Sequence, residues 1–490
     1  MIRWASEQGF VAELEGLYEG WRPDAAPAPV ILVANASLAA ELGIDPTWLA
    51  SGEGIAAVLG SEAPPHPTVA QAYAGHQFGN YSPRLGDGRA LLLGEALTTD
   101  GRRVDIHLKG SGRTTFSRGG DGKAAVGPML REYVIGEALH ALGLPTTRAL
   151  VVVATGETIA RDRPLPGAVL ARVASSHLRV GSFQYAASSG DTDLVRRLAD
   201  HAIARHYPQC ALDPEPYLAF LEAVSAAQAR LVSQWMAIGF IHGVMNTDNM
   251  AISGESIDFG PCAFMEVHDP RAVFSSIDHS GRYAYGQQPG IAQWNLARLA
   301  ETLLPLLHHD TQEAIRIATE AVENFAGVFR HEYLTRMRAK AGLVDPATPG
   351  EEAAAIVNGF LALMTSHRVD HTLGFRSLSG VLRGQGGAFE ALFADDDEVR
   401  TWRDRWLAAV PADPSMRLGI ADGMDAVNPV HVPRNHLVEE ALAAATAGDL
   451  APLEALVDIL RVPFERLPDD ERYLLPAPDG WEGYMTFCGT

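Results

Sequence analysis

Lys109 and Glu132, followed well downstream by Asn249 and by Asp258-Phe259-Gly260, have the chemistry to handle phosphate. An amide and a carboxylate are hard oxygen donors of the kind Mg²⁺ takes, with phosphate oxygens and water filling its other positions. A lysine adds a point charge suited to phosphate. The segment carrying Glu132 is apolar on most sides (Leu130, Tyr133, Val134, Ile135, Leu139), so this carboxylate is expected to be buried and to need a partner. Lys109 can serve, either within a phosphate site or in a plain structural ion pair.

The spacing from His242 to Asn249 is that of the loop H-R-D-x-x-x-x-N, in which the third residue is the base and the last holds Mg²⁺. Val244 stands at the base position, and a valine cannot accept a proton. The metal ligands Asn249 and Asp258 are therefore present and the usual base is missing. Asp248, the remaining acid of the loop, either takes the proton of an incoming hydroxyl or caps the loop as an Asx turn. Two glycine-rich pieces, Leu85-Gly86-Asp87-Gly88-Arg89 and Arg118-Gly-Gly-Asp121-Gly122-Lys123, either turn backbone N–H groups onto phosphate or are simple turns. Arg172 and Arg179 either fork onto phosphate oxygens or are solvated surface groups.

The elements that must position these groups follow from a change of pattern along the chain. Residues 1–65 read as an irregular extension with a short helix over 37–42. Strands are expected over 90–95 and 103–109, joined by a turn at Asp100-Gly101. In the second, Val104, Ile106 and Leu108 alternate with Asp105, His107 and Lys109, which puts Lys109 on the polar face. A glycine-rich loop leads into a helix over 128–142 that Gly143 stops. Strands over 148–154 and 168–174 come next, and helical runs then dominate near 191–206, 215–238, 312–340, 350–367 and 435–460. The pattern predicts an α+β, protein-kinase-like bilobed fold, with a strand-rich N-lobe, a helical C-lobe, and N- and C-terminal extensions. The expected units are 1–65, 66–176, 177–325 (with the catalytic loop and Asp-Phe-Gly) and 326–490.

At 490 residues the chain exceeds one hydrophobic core. A formal charge of −21 argues against a general nucleic-acid binder, while leaving room for a local basic pocket. No apolar run approaches a bilayer span, and the N-terminus has no signal-peptide core, so a cytoplasmic location is expected. Three cysteines are too few and too scattered for a disulfide framework or a zinc site, and the 17 histidines show no HExxH spacing.

The chain resembles the selenoprotein O family, also called the YdiU family, of kinase-fold protein adenylyltransferases often described as pseudokinases. The likeness is carried by Tyr73-Ala-Gly-His-Gln-Phe-Gly79, Leu85-Gly-Asp-Gly-Arg89, Lys109-Gly-Ser-Gly112, Pro145-Thr-Thr-Arg-Ala-Leu150, Gly167-Ala-Val-Leu-Ala-Arg-Val173 and His242-Gly-Val-Met-Asn-Thr-Asp-Asn-Met250. Asn428-Pro429, Arg434-Asn435 and Cys488 extend it to nearly the whole chain. The resemblance implies ATP bound in reverse, so that AMP passes to Ser, Thr or Tyr hydroxyls of proteins, the chain itself among them. It implies that Lys109 pairs with Glu132 and contacts phosphate, and that Gly86, Gly88 and Arg89 line the nucleotide. Asp121, Gly122, Arg172, Arg179 and Asp258 would bind it too. Asp248 would be the proton acceptor, and Asn249 and Asp258 the ligands of Mg²⁺, with Mn²⁺ as the alternative. A kinase transferring the γ-phosphoryl group and a non-catalytic nucleotide-binding scaffold are the competing readings. Two departures stand out: Lys123-Ala-Ala-Val-Gly-Pro-Met129 replaces the usual Arg-Ala-Val-Leu-Arg-Ser-Ser, and the end reads Cys488-Gly-Thr490. Cys488 either pairs with Cys262 to restrain the segment after Asp-Phe-Gly or never meets a buried Cys262.

Overall fold

Among the described residues, ten strands lie within the first 174 positions. They are β1 (Tyr18–Gly20), β2 (Val30–Ala34), β3 (Val69–Gln71), β4 (Gly75–Gln77), β5 (Asn80–Ser82), β6 (Ala90–Leu97), β7 (Arg103–Lys109), β8 (Ala124–Ala125), β9 (Arg148–Ala160) and β10 (Pro164–Ala174). In this computed structural model, which describes residues 1–486 except Ala63, Pro65, Ala347, Ala394, Asp395 and Glu482, they form an eight-stranded antiparallel sheet and a separate β4–β5 ribbon. The sheet runs β1-β3-β6-β7-β10-β9-β2, with β8 on β10. The turn at Asp100-Gly101 joins β6 to β7, with Leu91 opposite Leu108 and Ala90 opposite Lys109.

The polar face of β7 is not a wet face. Asp105, His107 and Lys109 are as buried as Val104, Ile106 and Leu108, because each polar group has a charged partner: Arg205 for Asp105, Asp87 for His107 and Glu132 for Lys109. The first 65 residues also differ from the expected irregular extension. They contain α1 (Gly9–Glu13), α2 (Ala36–Glu41), α3 (Pro46–Leu49) and α4 (Gly52–Val58), and supply the two strands that edge the sheet. Side chains of Asn35, Asp45 and Ser51 cap the last three of these helices.

Helix α5 (Val126–Ala141) crosses the sheet against β9 and β10, and Gly143, at φ +78°, ends it. Beyond the sheet come α6 (Val180–Ser188), α7 (Thr192–His206), α8 (Pro216–Ile238), α9 (Gln288–Leu307) and α10 (Thr311–Lys340). The short pair β11 (Phe240–Ile241) and β12 (Ala263–Phe264) pins the ends of the loop between them, which carries Asn249 and Asp258. A second helical core is built from α11 (Gly350–Ser366), α12 (His371–Leu382), α13 (Gly387–Leu392), α14 (Asp397–Ala408) and α15 (Pro414–Asp425). Then α16 (Asn435–Thr446) and α17 (Ala451–Leu460) return to pack on α5. The run over 435–460 is thus two helices, broken at Gly448, whose φ is +100°. No helix of the described residues is long and apolar enough to cross a membrane.

Candidate active site

Register places the first cluster. Strand β10 sets Leu170 beside Lys109 and Arg172 beside His107, while α5 brings Glu132 up beneath β7. Lys109 Nζ donates to Glu132 Oε1 at 2.8 Å and to Asp258 Oδ1 at 2.6 Å. Glu132 Oε1 also accepts from the backbone N–H of Phe259 at 2.9 Å, so α5 grips the Asp-Phe-Gly segment directly. Arg172 Nη1 donates to Asp258 Oδ1 at 2.8 Å and Arg179 Nη1 to Asp258 Oδ2 at 3.3 Å. Asp258 sits at φ +65°, a left-handed conformation that a non-glycine residue adopts at a cost. Burial alone would favour its neutral form, but Lys109, Arg172 and Arg179 outweigh it and hold the carboxyl well below the ordinary range.

Both arginines are 2 % exposed, which removes the reading of them as solvated surface groups. Each is braced. Arg172 Nε donates to His107 Nδ1 at 3.3 Å, and His107 Nε2 lies 2.9 Å from Asp87 Oδ2. Burial lowers the His107 pKa, so the ring is a neutral relay that accepts from Arg172 and donates to Asp87. The Arg179 guanidinium lies 4.4 Å from the centre of the Tyr73 ring.

The second cluster is the loop after β11. Asn249 Nδ2 donates to the carbonyl of Val244 at 3.0 Å, so Val244 fixes the amide through its backbone. Among the described residues nothing donates to Asn249 Oδ1, which leaves one amide oxygen and the Asp258 carboxylate as hard donors. No group of three His, Cys, Asp or Glu side chains there forms a self-sufficient metal cage. The donor set fits a Mg²⁺ ion that takes its other ligands from phosphate and water.

Asp248 is treated differently from Asp258. It is buried, and among the described residues its Oδ1 has no hydrogen-bond partner and Oδ2 meets only the Gln77 side-chain amide, at 3.4 Å. Burial pushes its carboxyl up to about 6, with Arg179 opposing.

One cavity of about 1060 Å³ gathers these groups. It is lined by twelve residues with candidate roles in the site: Gly86, Gly88, Arg89, Lys109, Asp121, Gly122, Glu132, Arg172, Arg179, Asp248, Asn249 and Asp258. Gly86, at φ +64°, is tied to its residue type, since a Cβ there would lie 2.3 Å from the Phe116 ring. Asp121 already has a partner, with Arg161 forking onto both its oxygens at 2.8 and 3.1 Å. Cys262 is buried with its thiol pushed up to about 12 by burial, and it donates to the carbonyl of Phe259. Its proposed partner Cys488 lies outside the described residues.

Sequence reasoning gave no role to several residues of the wall. Tyr73 and Gln77 belong to the stretch Tyr73-Ala-Gly-His-Gln-Phe-Gly79, whose residue types point to no particular chemistry. Arg161 and the α16 residues Glu439, Leu442 and Thr446 carried no local signal at all.

The chain matches the family model described as "Protein adenylyltransferase SelO" over residues 5–461. It is 56% identical over 489 residues to the protein nucleotidyltransferase YdiU of Mycolicibacterium smegmatis, covering 98% of this chain and 97% of that one. The protein of the same name from Pseudarthrobacter chlorophenolicus is 54% identical over 485 residues, covering 98% and 97%. That from Cereibacter sphaeroides is 54% identical over 488 residues, covering 99% of both.

Proposed function

Because the chain belongs to the SelO family of protein adenylyltransferases, we propose that it moves AMP from ATP to Ser, Thr or Tyr hydroxyls of proteins, with the triphosphate reversed relative to a kinase. The observation that carries this reading is the charge balance of the cavity, whose lining holds nine Lys and Arg side chains, Lys109, Arg172 and Arg179 among them, against six Asp and Glu. On a chain of net charge −21, that local excess of positive charge suits a polyphosphate. The sheet half and helical half that wall the cavity correspond in this reading to kinase-like N- and C-lobes over 66–176 and 177–325, flanked by extensions over 1–65 and 326–490.

Asp248 takes the proton from the acceptor hydroxyl. The freed oxygen attacks the α-phosphorus, the bond from that phosphorus to the bridging oxygen breaks, and pyrophosphate leaves with the electron pair. A carboxyl with a pKa near 6 is ionised at neutral pH and still basic enough to work there. Lys109, Arg172 and Arg179 turn from Asp258 to the phosphate oxygens and stabilise their charge. Gly86, Gly88, Arg89, Asp121 and Gly122 hold the rest of the nucleotide. Mg²⁺, or Mn²⁺ in its place, would be held by Asn249 and Asp258 and would neutralise phosphate charge.

Incubation with ATP labelled separately at the α- and γ-phosphates tests the reading. Label from the α-position is expected in protein. Incorporation of γ-label would turn the assignment to a kinase, and binding without incorporation of either would turn it to a scaffold.

A further inference from the structure

The segment 73–79 runs across the top of the loop 246–249, and its contacts are made residue against residue. The His76 N–H donates to Thr247 Oγ1 at 2.7 Å, and the Phe78 N–H donates to Asn246 Oδ1 at 3.1 Å. Between them, Gln77 Nε2 donates to Asp248 Oδ2 at 3.4 Å. A closed ring stiffens the arrangement: Thr247 Oγ1 donates to Gln184 Oε1 at 2.6 Å, and Gln184 Nε2 donates to His76 Nδ1 at 2.8 Å. Tyr283 adds a further brace, its hydroxyl donating to Asn246 Oδ1 at 2.6 Å and accepting from the Phe78 N–H at 3.2 Å.

Gly75 completes the fit. A Cβ at that position would lie 2.5 Å from Asp248 Oδ1, closer than van der Waals contact allows. The segment thus leaves a space for one carboxylate oxygen and offers a donor to the other. Gln77 lines the same cavity as Asp248, and among the described residues Asp248 has no other side-chain hydrogen bond. The contact is long for N–H···O, as such contacts commonly are before substrate tightens the site.

We infer that Gln77 is a positioning residue for AMP transfer, its side-chain amide holding the Asp248 carboxylate in the orientation that meets the acceptor hydroxyl. The inference rests on the reading of Asp248 as the proton acceptor. Displacing a reacting group by about 1 Å can cost 10²-fold, so a single well-placed amide is enough to matter.

The test is a double-mutant cycle in the full chain, read as initial incorporation of α-labelled ATP with casein supplied as acceptor, alongside ATP binding and urea unfolding. Gln77→Leu, which keeps the size and removes the donor, is expected to lower kcat by about 10–100-fold while leaving ATP affinity and the unfolding midpoint unchanged. Gln77→Asn, with the amide on a shorter stem, is expected to recover part of the loss. In an Asp248→Ala background, Gln77→Leu is expected to cost less than about twofold, because a residue acting through Asp248 has nothing left to act on. An unaltered kcat in Gln77→Leu beside a crippled Asp248→Ala overturns the inference alone, as does an equal cost in both backgrounds. An Asp248→Ala protein at full rate overturns the assignment of the base instead.

Discussion

Lys109 and Lys340 are both buried, at 5 % and 3 % exposure, yet the fold surrounds them in opposite ways. In the cavity, Lys109 has Glu132 at 2.8 Å and Asp258 at 2.6 Å, inside a network with two arginines. At the end of α10, Lys340 has the Phe375 ring 4.5 Å from its ammonium and, among the described residues, no carboxylate within ion-pair distance. Burial lowers its pKa to about 7. The contrast separates two reasons for burying a charge. Where the charge is to meet a ligand, counter-charges hold it ready; where a long aliphatic stem fills a core, the ammonium is an encumbrance.

The counter-charged cluster around Lys109 is most sharply disrupted at Asp258. Asp258→Asn leaves Lys109, Arg172 and Arg179 facing a neutral amide, and unfolding in urea is expected to show a loss of about 3–5 kcal/mol. Midpoints unchanged from the parent would mean that the cluster does not depend on this carboxylate. Next comes Lys109→Met, which removes one of three phosphate-facing cations. Incorporation of α-label is expected to fall by about 10²–10³-fold, and a rate within a few-fold of the parent would strip Lys109 of its role.

On the other side of the comparison, Lys340→Met is expected to stabilise the protein, by on the order of 1–3 kcal/mol below neutral pH. The folded state binds the Lys340 proton less tightly than the unfolded chain does, at about 7 against 10.5. Unfolding therefore takes up a proton between those values, and parental stability rises as pH climbs from about 7 towards 10.5. The advantage of the methionine should shrink across that window and vanish above it. A pH-independent difference would mean that Lys340 keeps its proton when folded. The smallest effect belongs to Phe375→Tyr, which retains a ring beneath the ammonium and is expected to change stability by less than about 1 kcal/mol.

Much of the cavity was readable from spacing and motif, because the loop 242–260 and the strand–loop–helix 103–141 are each local units. The α+β character followed from period alone. What escaped the sequence depended on long-range packing. Gln77 and Asp248 are 171 positions apart, and nothing in the pattern around either indicates the other. The polar face of β7 read as merely polar, since a buried charge network and a solvated one alternate identically. Helix α14 hid because only Val399, Trp402 and Trp406 of its twelve residues are buried, too sparse a stripe in a charged segment. Helix α9 hid behind buried Gln288 and Asn295, which interrupt its apolar period.

Arg131 gives the fold a mechanical property of its own. It precedes Glu132 on α5, donates to the carbonyl of Cys262 at 2.7 Å, and pairs with Glu439 of α16 at 3.0 Å. The helix that presents Glu132 is therefore splinted on its outer side by the C-terminal part of the same chain. Swinging that helix away would break both ties and uncover the apolar seam under α16 and α17.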